Sequence, residues 1–147
     1  MADAPLASVI TFGVRDFDAE RSFYRALGWQ QALDSDDFAV FELRGALLAL
    51  FPVDKLAADA HTDPDLGRSG IRCNVIINVD EPAGVDELVG RARQAGATVT
   101  KEPMDAEFFT GRDAYFCDPE GNFWEVAWAP PDNPVVAAAR RAAGIVT

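Results

Sequence analysis

The order of elements repeats within the chain, and this repeat limits the possible folds more than any other feature. Ser8 to Val14 is β-branched and aromatic and predicts a strand. Asp16 comes next as a helix N-cap, Phe23, Tyr24 and Leu27 recur at helical spacing, and Gly28 supplies the stop. Gln30 to Leu33 is a short apolar stretch placed to pair with the next strand, with the turn at Asp34-Ser35-Asp36. Asp37 to Leu43 and Ala46 to Phe51 predict strands joined at Arg44-Gly45. The second half runs in the same order. Cys73 to Val79 predicts a strand. Asp80 to Pro82 leads into a helix carrying Val85, Leu88, Val89 and Ala92, which Gly96 ends. Ala97 to Thr100, Asp113 to Cys117 and Asn122 to Trp128 are three further strands. The last two are joined by Asp118-Pro119-Glu120-Gly121, a turn with proline at its second position. Strand, helix and three strands therefore occur twice, and an internal duplication is the simplest account.

A chain of 147 residues with 49% hydrophobic content suits one domain with a real core. Module one is expected at about 7–52, a linker at 53–70, module two at about 71–129 and a tail at 130–147. Within the linker, Asp54 to Ala60 has the composition of one or two helical turns. Pro134 to Ala143 predicts a short tail helix after Ala129-Pro130-Pro131.

Charge and motif content narrow the function. The formal net charge of −11 argues against a nucleic-acid partner and against anionic membrane surfaces. No apolar run reaches membrane-span length, and Met1 to Pro5 has no signal-peptide character. Cys73 and Cys117 sit in apolar contexts and are expected to be buried, reduced thiols, in keeping with a cytoplasmic protein. The chain has no GxSxG, Walker A, GxGxxG or CxxC motif. No cofactor is expected. Asp59 to Asp65 around His61, the single histidine, lacks the glycine and glutamate of a calcium loop and reads as a solvated acidic segment.

The chain resembles the glyoxalase/bleomycin-resistance/dioxygenase superfamily, the vicinal oxygen chelate proteins. The residues that carry the resemblance are Val14-Arg15-Asp16 with Ser22-Phe23-Tyr24 and Leu27-Gly28, then Asn78-Val79-Asp80 with Ala95-Gly96-Ala97. The run Tyr115 to Val126, containing Asp118-Pro119-Glu120-Gly121-Asn122, matches the C-terminal signature. The resemblance implies an α+β fold of two βαβββ modules, each curling its sheet into a half-barrel cup. It also implies a homodimer with a small-molecule ligand. In metal-dependent members the cation is held from the first and fourth strands of each module. Those positions fall here on Val9, Ala49, Asn74 and Glu125. Only Glu125 is a conventional ligand, and one histidine cannot build a two-histidine centre. No metal site is therefore expected, which disfavours the metal-dependent glyoxalase and dioxygenase activities.

Strand alternation places the remaining candidates. Val9, Thr11 and Gly13 share a face, as do Leu47, Ala49 and Phe51; Asn74, Ile76 and Asn78; and Phe123, Glu125 and Ala127. Thr11, Phe51, Asn74, Ile76, Asn78, Phe123 and Glu125 are thus candidate ligand-binding residues. Phe108, Phe109 and Arg112 join them from the segment before the seventh strand. The same side chains would also serve simply to fill the interior of each cup. Glu125 needs a partner if it is buried, and Arg72 and Arg112 are the candidate internal ones. Trp124 and Trp128 alternate away from Glu125 and are expected to pack under helices. The leading expectation is a metal-free protein, similar to the bleomycin-resistance branch, that sequesters an aromatic, cationic ligand. The alternative is a lyase, isomerase or dioxygenase-type enzyme of the same superfamily that uses Glu125 or a non-standard metal site.

Overall fold

A computed structural model describes residues 7–67, 70–71 and 73–145. The chain divides into two compact units, residues 1–66 and 67–147. The first holds β1 (Val9–Val14), α1 (Phe17–Ala26), β2 (Gln31–Asp34), β3 (Ala39–Leu43), β4 (Ala46–Pro52) and α2 (Val53–Asp59). The second holds β5 (Asn74–Asn78), α3 (Pro82–Ala95), β6 (Thr98–Asp105), β7 (Arg112–Cys117), β8 (Phe123–Trp128) and α4 (Pro134–Ala142). The sheets have one topology: order β1-β4-β3-β2 in the first and β5-β8-β7-β6 in the second. In each, the first and last strands pair in parallel and the other neighbours are antiparallel. The fold is α+β, with the βαβββ order repeated and a C-terminal helix. Among the described residues neither sheet closes into a barrel.

Local chemistry sets the element ends. The Asp16 carboxylate accepts from the Ala19 amide at 3.0 Å and caps α1. Asn133 caps α4, accepting from Val135 and Val136. Each sheet then buries one face under its own helix. In unit one, Phe41, Leu48 and Leu50 are buried with Phe23 and Tyr24 of α1, and the Tyr24 and Phe41 rings lie 5.8 Å apart. In unit two, Ala114, Phe116, Trp124 and Val126 are buried on the face covered by Val85, Leu88, Val89 and Ala92 of α3. Phe116 and Trp124 are register partners whose rings stack at 6.5 Å, so Trp124 packs beneath a helix as its alternation predicts. Ion pairs tie the outermost strand of each sheet to the helix: Arg21 and Arg25 to Asp34 in unit one, Arg93 to Glu102 in unit two.

Two details differ from the sequence reading. The sixth strand continues five residues past Thr100, to Asp105. Lys101 to Asp105 contains two acids and a proline, but β6 is an edge strand, where proline forfeits no ladder bond, and its register breaks twice. Cys73 is exposed rather than buried, because β5 begins one residue after it; Cys117 is half-buried. The linker's helical segment, α2, packs against β1. A Cβ added at Gly13 would lie 3.0 Å from Val53 Cγ2 and 3.1 Å from Leu56 Cδ2, so the glycine is what admits the helix. No helix among the described residues is long and apolar enough to cross a membrane.

Candidate functional site

The face of the second sheet that points away from α3 carries the polar chemistry. Strand register lays its side chains out as a grid. Asn74, Ile76 and Asn78 of β5 stand beside Phe123, Glu125 and Ala127 of β8. These in turn stand beside Cys117, Tyr115 and Asp113 of β7. Lys101 and Met104 of β6 complete the outer edge. The central row therefore reads Lys101, Tyr115, Glu125, Ile76.

The turn between β7 and β8 fixes this row. Asp118 is buried, and its Oδ1 accepts from the Glu120 and Asn122 amides at 3.0 and 2.9 Å. Its Oδ2 accepts from the Asn122 side chain at 2.8 Å. Gly121 closes the turn at φ +85°, a backbone region costly for residues with a Cβ. Cys117 is thereby paired with Phe123, and two residues further along each strand Tyr115 faces Glu125.

Glu125 is 7% exposed and accepts a hydrogen bond from the Tyr115 phenol. That bond to a carboxylate, reinforced by burial and by the negative charges of Glu125 and Asp113, pushes the Tyr115 pKa up to about 12. Tyr115 is thus a hydrogen-bond donor at any physiological pH. Beside it, Lys101 Nζ lies 2.8 Å from Asp113 Oδ1 and 5.9 Å from the centre of the Tyr115 ring. Asp113 is itself buried. Burial, with the charge of Asp118 as the next cause, raises the Cys117 thiol pKa and holds it as the unreactive thiol.

The candidates named from sequence separate into groups. Asn74, Ile76, Asn78, Phe123 and Glu125 meet on this one face. Arg112 does not. It pairs with Trp128 in register, on the α3 side, and forks onto Asp86 with two 2.8 Å bonds. Arg112, one of the two candidate partners for Glu125, is therefore not its partner: strand alternation sends the two side chains to opposite faces. The bidentate pair holds the Asp86 carboxyl below its usual pKa. Arg72, the other candidate partner, lies outside the described residues. Phe108 is 94% exposed on the loop before β7, whereas Phe109 is half-buried against Gly111. Thr11 and Phe51 belong to the sheet of unit one, Thr11 exposed and Phe51 packed edge-on to Phe38 at 5.5 Å. Sequence reasoning missed Lys101, Asp113 and Tyr115. The signal for Tyr115 was present, because counting two residues back from the turn on each strand pairs it with Glu125.

The residues do not fit the divalent ion of the family's metal-dependent members. Among the described residues no three His, Cys, Asp or Glu side chains cluster to hold a metal. Of the four family positions, Val9 and Ala49 present only hydrocarbon.

Comparison with known proteins agrees with the fold. The sequence profile of the Glyoxalase/Bleomycin resistance protein/Dioxygenase superfamily matches residues 7–126, and the chain belongs to that superfamily. Among solved structures it is similar to a glyoxalase-related enzyme from Fulvimarina pelagi, at 26% identity and TM-score 0.75, over 84% of this chain and 88% of that one. It is similar to a lactoylglutathione lyase from Agrobacterium tumefaciens, at 26% identity and TM-score 0.65, over 86% and 96%. A glyoxalase/bleomycin resistance protein/dioxygenase from Nocardioides, at 24% identity and TM-score 0.76 over 90% and 89%, shares the fold. Among curated proteins none matches the chain by sequence.

Proposed function

We propose that the protein binds a small aromatic, cationic ligand on the face of the second sheet that points away from α3, with Glu125 as the polar anchor. One observation carries this reading. Glu125 is buried, its hydrogen-bond donor is the neutral Tyr115 phenol, and among the described residues no arginine or lysine stands within ion-pair distance of it. A buried carboxylate without a counter-charge is costly, and a ligand cation removes that cost. The net charge of −11 adds long-range attraction for such a ligand. Calorimetric titration of a panel of basic aromatic compounds tests the reading. Binding that is lost in Glu125→Gln is the expected result, and no binding above background across the panel overturns it.

An enzymatic reading is supported by the likeness to a lactoylglutathione lyase and by the Tyr115–Glu125 pair, a donor and an acceptor of the kind that general acid–base chemistry uses. Metal analysis of the purified protein tests the metal-dependent form of the enzymatic reading. A stoichiometric divalent ion lost in Glu125→Gln would favour the enzyme. The free thiols of Cys73 and Cys117 suit a reducing, cytoplasmic setting, and superfamily membership supports a homodimer, which sedimentation measures directly.

A further inference from the structure

The two sides of Glu125 differ, and the difference bears on which cation would fit. Resting on the ligand-binding reading, we infer that the site selects a cation bearing N–H donors on an apolar body, with that body lying along β5 over Ile76. A quaternary ammonium is the poorer ligand.

Each part comes from the grid. A carboxylate offers about four acceptor positions, and the Tyr115 phenol takes one. With Glu125 only 7% exposed, little of the group is reachable, so a compact head that donates a charge-assisted hydrogen bond fits it best. A quaternary ammonium has no hydrogen to donate and is held elsewhere by aromatic faces. On this face the rings near Glu125 are Tyr115, whose centre already lies 5.9 Å from Lys101 Nζ, and Phe123 two residues along β8, too few to cage an ammonium. On the other side, Glu125 is in register with Ile76, an isoleucine left 48% exposed. Asn74 and Asn78 flank it on the same face of the edge strand. An apolar body laid there covers Ile76, with two amides placed to meet its polar substituents.

Three probes share one body: 2-naphthylmethylammonium, its N,N,N-trimethyl analogue and 2-naphthylmethanol. Calorimetry at neutral pH with the full chain is expected to show the ammonium binding about tenfold or more tighter than either of the others. In Glu125→Gln that preference collapses. In Ile76→Ser all three probes weaken severalfold while the ratio of ammonium to trimethyl affinity is kept. Only the ammonium is expected to shift the Tyr115 Cζ resonance, assigned with Tyr115→Phe. Equal affinity of the trimethyl probe and the ammonium for the unmodified protein overturns the inference and leaves the ligand-binding reading standing. Equal affinity of the alcohol and the ammonium overturns its cationic part. Failure of all three to bind removes both the inference and the reading it rests on.

Discussion

The two units share a strand order and differ in what their open faces hold. In unit one that face carries Val9, Thr11 and Gly13 beside Leu47, Ala49 and Phe51, with Val40 and the exposed Glu42 of β3 next to them. It is largely hydrocarbon, and α2 lies against it at Gly13. In unit two the equivalent face carries Lys101, Asp113, Tyr115 and Glu125, joined by an ion pair and a phenol–carboxylate bond. The helix-covered faces, by contrast, are alike: both are aromatic and aliphatic, and both are clipped at the edge strand by arginine ion pairs. A duplicated scaffold needs its buried faces to stay apolar in both copies, since each unit's core depends on them. The faces away from α1 and α3 have diverged: one is mostly hydrocarbon with Glu42 exposed on β3, while the other holds a buried set of paired polar groups.

The comparison is broken most severely at the turns. Asp118→Ala removes a buried acceptor of three hydrogen bonds and should destabilise by about 3–4 kcal/mol. The unit-one counterpart, Gly45→Ala at φ +89°, should cost about 1 kcal/mol. Urea denaturation of both variants measures the gap, and equal losses would mean that Asp118 does not organise its turn. Next in size is Lys101→Met, which strands the buried Asp113 carboxylate. A loss of about 2–3 kcal/mol is expected, below that for a fully buried pair because Lys101 is partly exposed. In unit one, Gly13→Ala pushes a methyl group against Val53 and Leu56 and should cost about 1–2 kcal/mol, read as a lowered Tm.

A pH titration sharpens the contrast without altering packing much. The folded-state pKa of Tyr115, about 12, lies above the unfolded phenol's value near 10. Its contribution to stability is therefore complete below the unfolded value and is lost as the pH rises through the folded one. The denaturation midpoint of the unmodified chain should fall more steeply across that alkaline window than that of Tyr115→Phe. Absorbance titration of Glu125→Gln should return the tyrosine toward its ordinary range. The smallest effect is expected at Lys55→Ala. This exposed ion pair to Asp37 holds the Asp37 carboxyl below its usual pKa, yet its loss should leave the Tm unchanged within error.

Much of this molecule is legible in one dimension. Periodicity, caps and turn chemistry act within a few residues, so the repeated strand-helix-strand order, the Asp16 cap and the Asp118–Gly121 turn can be read from neighbours alone. Alternation correctly separates Trp124 from Glu125, because successive side chains of a strand must take opposite faces. The limits appear where the answer depends on a distant strand or on a strand's rank in its sheet. Lys101 is unreadable as a site residue, since only the edge position of β6 lets a strand continue through Pro103. Charge alone makes Arg112 a partner for Glu125, and register gives it to Asp86 instead. Sequence by itself determined the superfamily, the repeated element order and Glu125 as the one carboxylate among the four family positions, because those are local patterns repeated in order. Which group would stand against that carboxylate was decided only when β7 and β8 paired, because a hydrogen bond needs two atoms in one place and strand pairing is what brings them there.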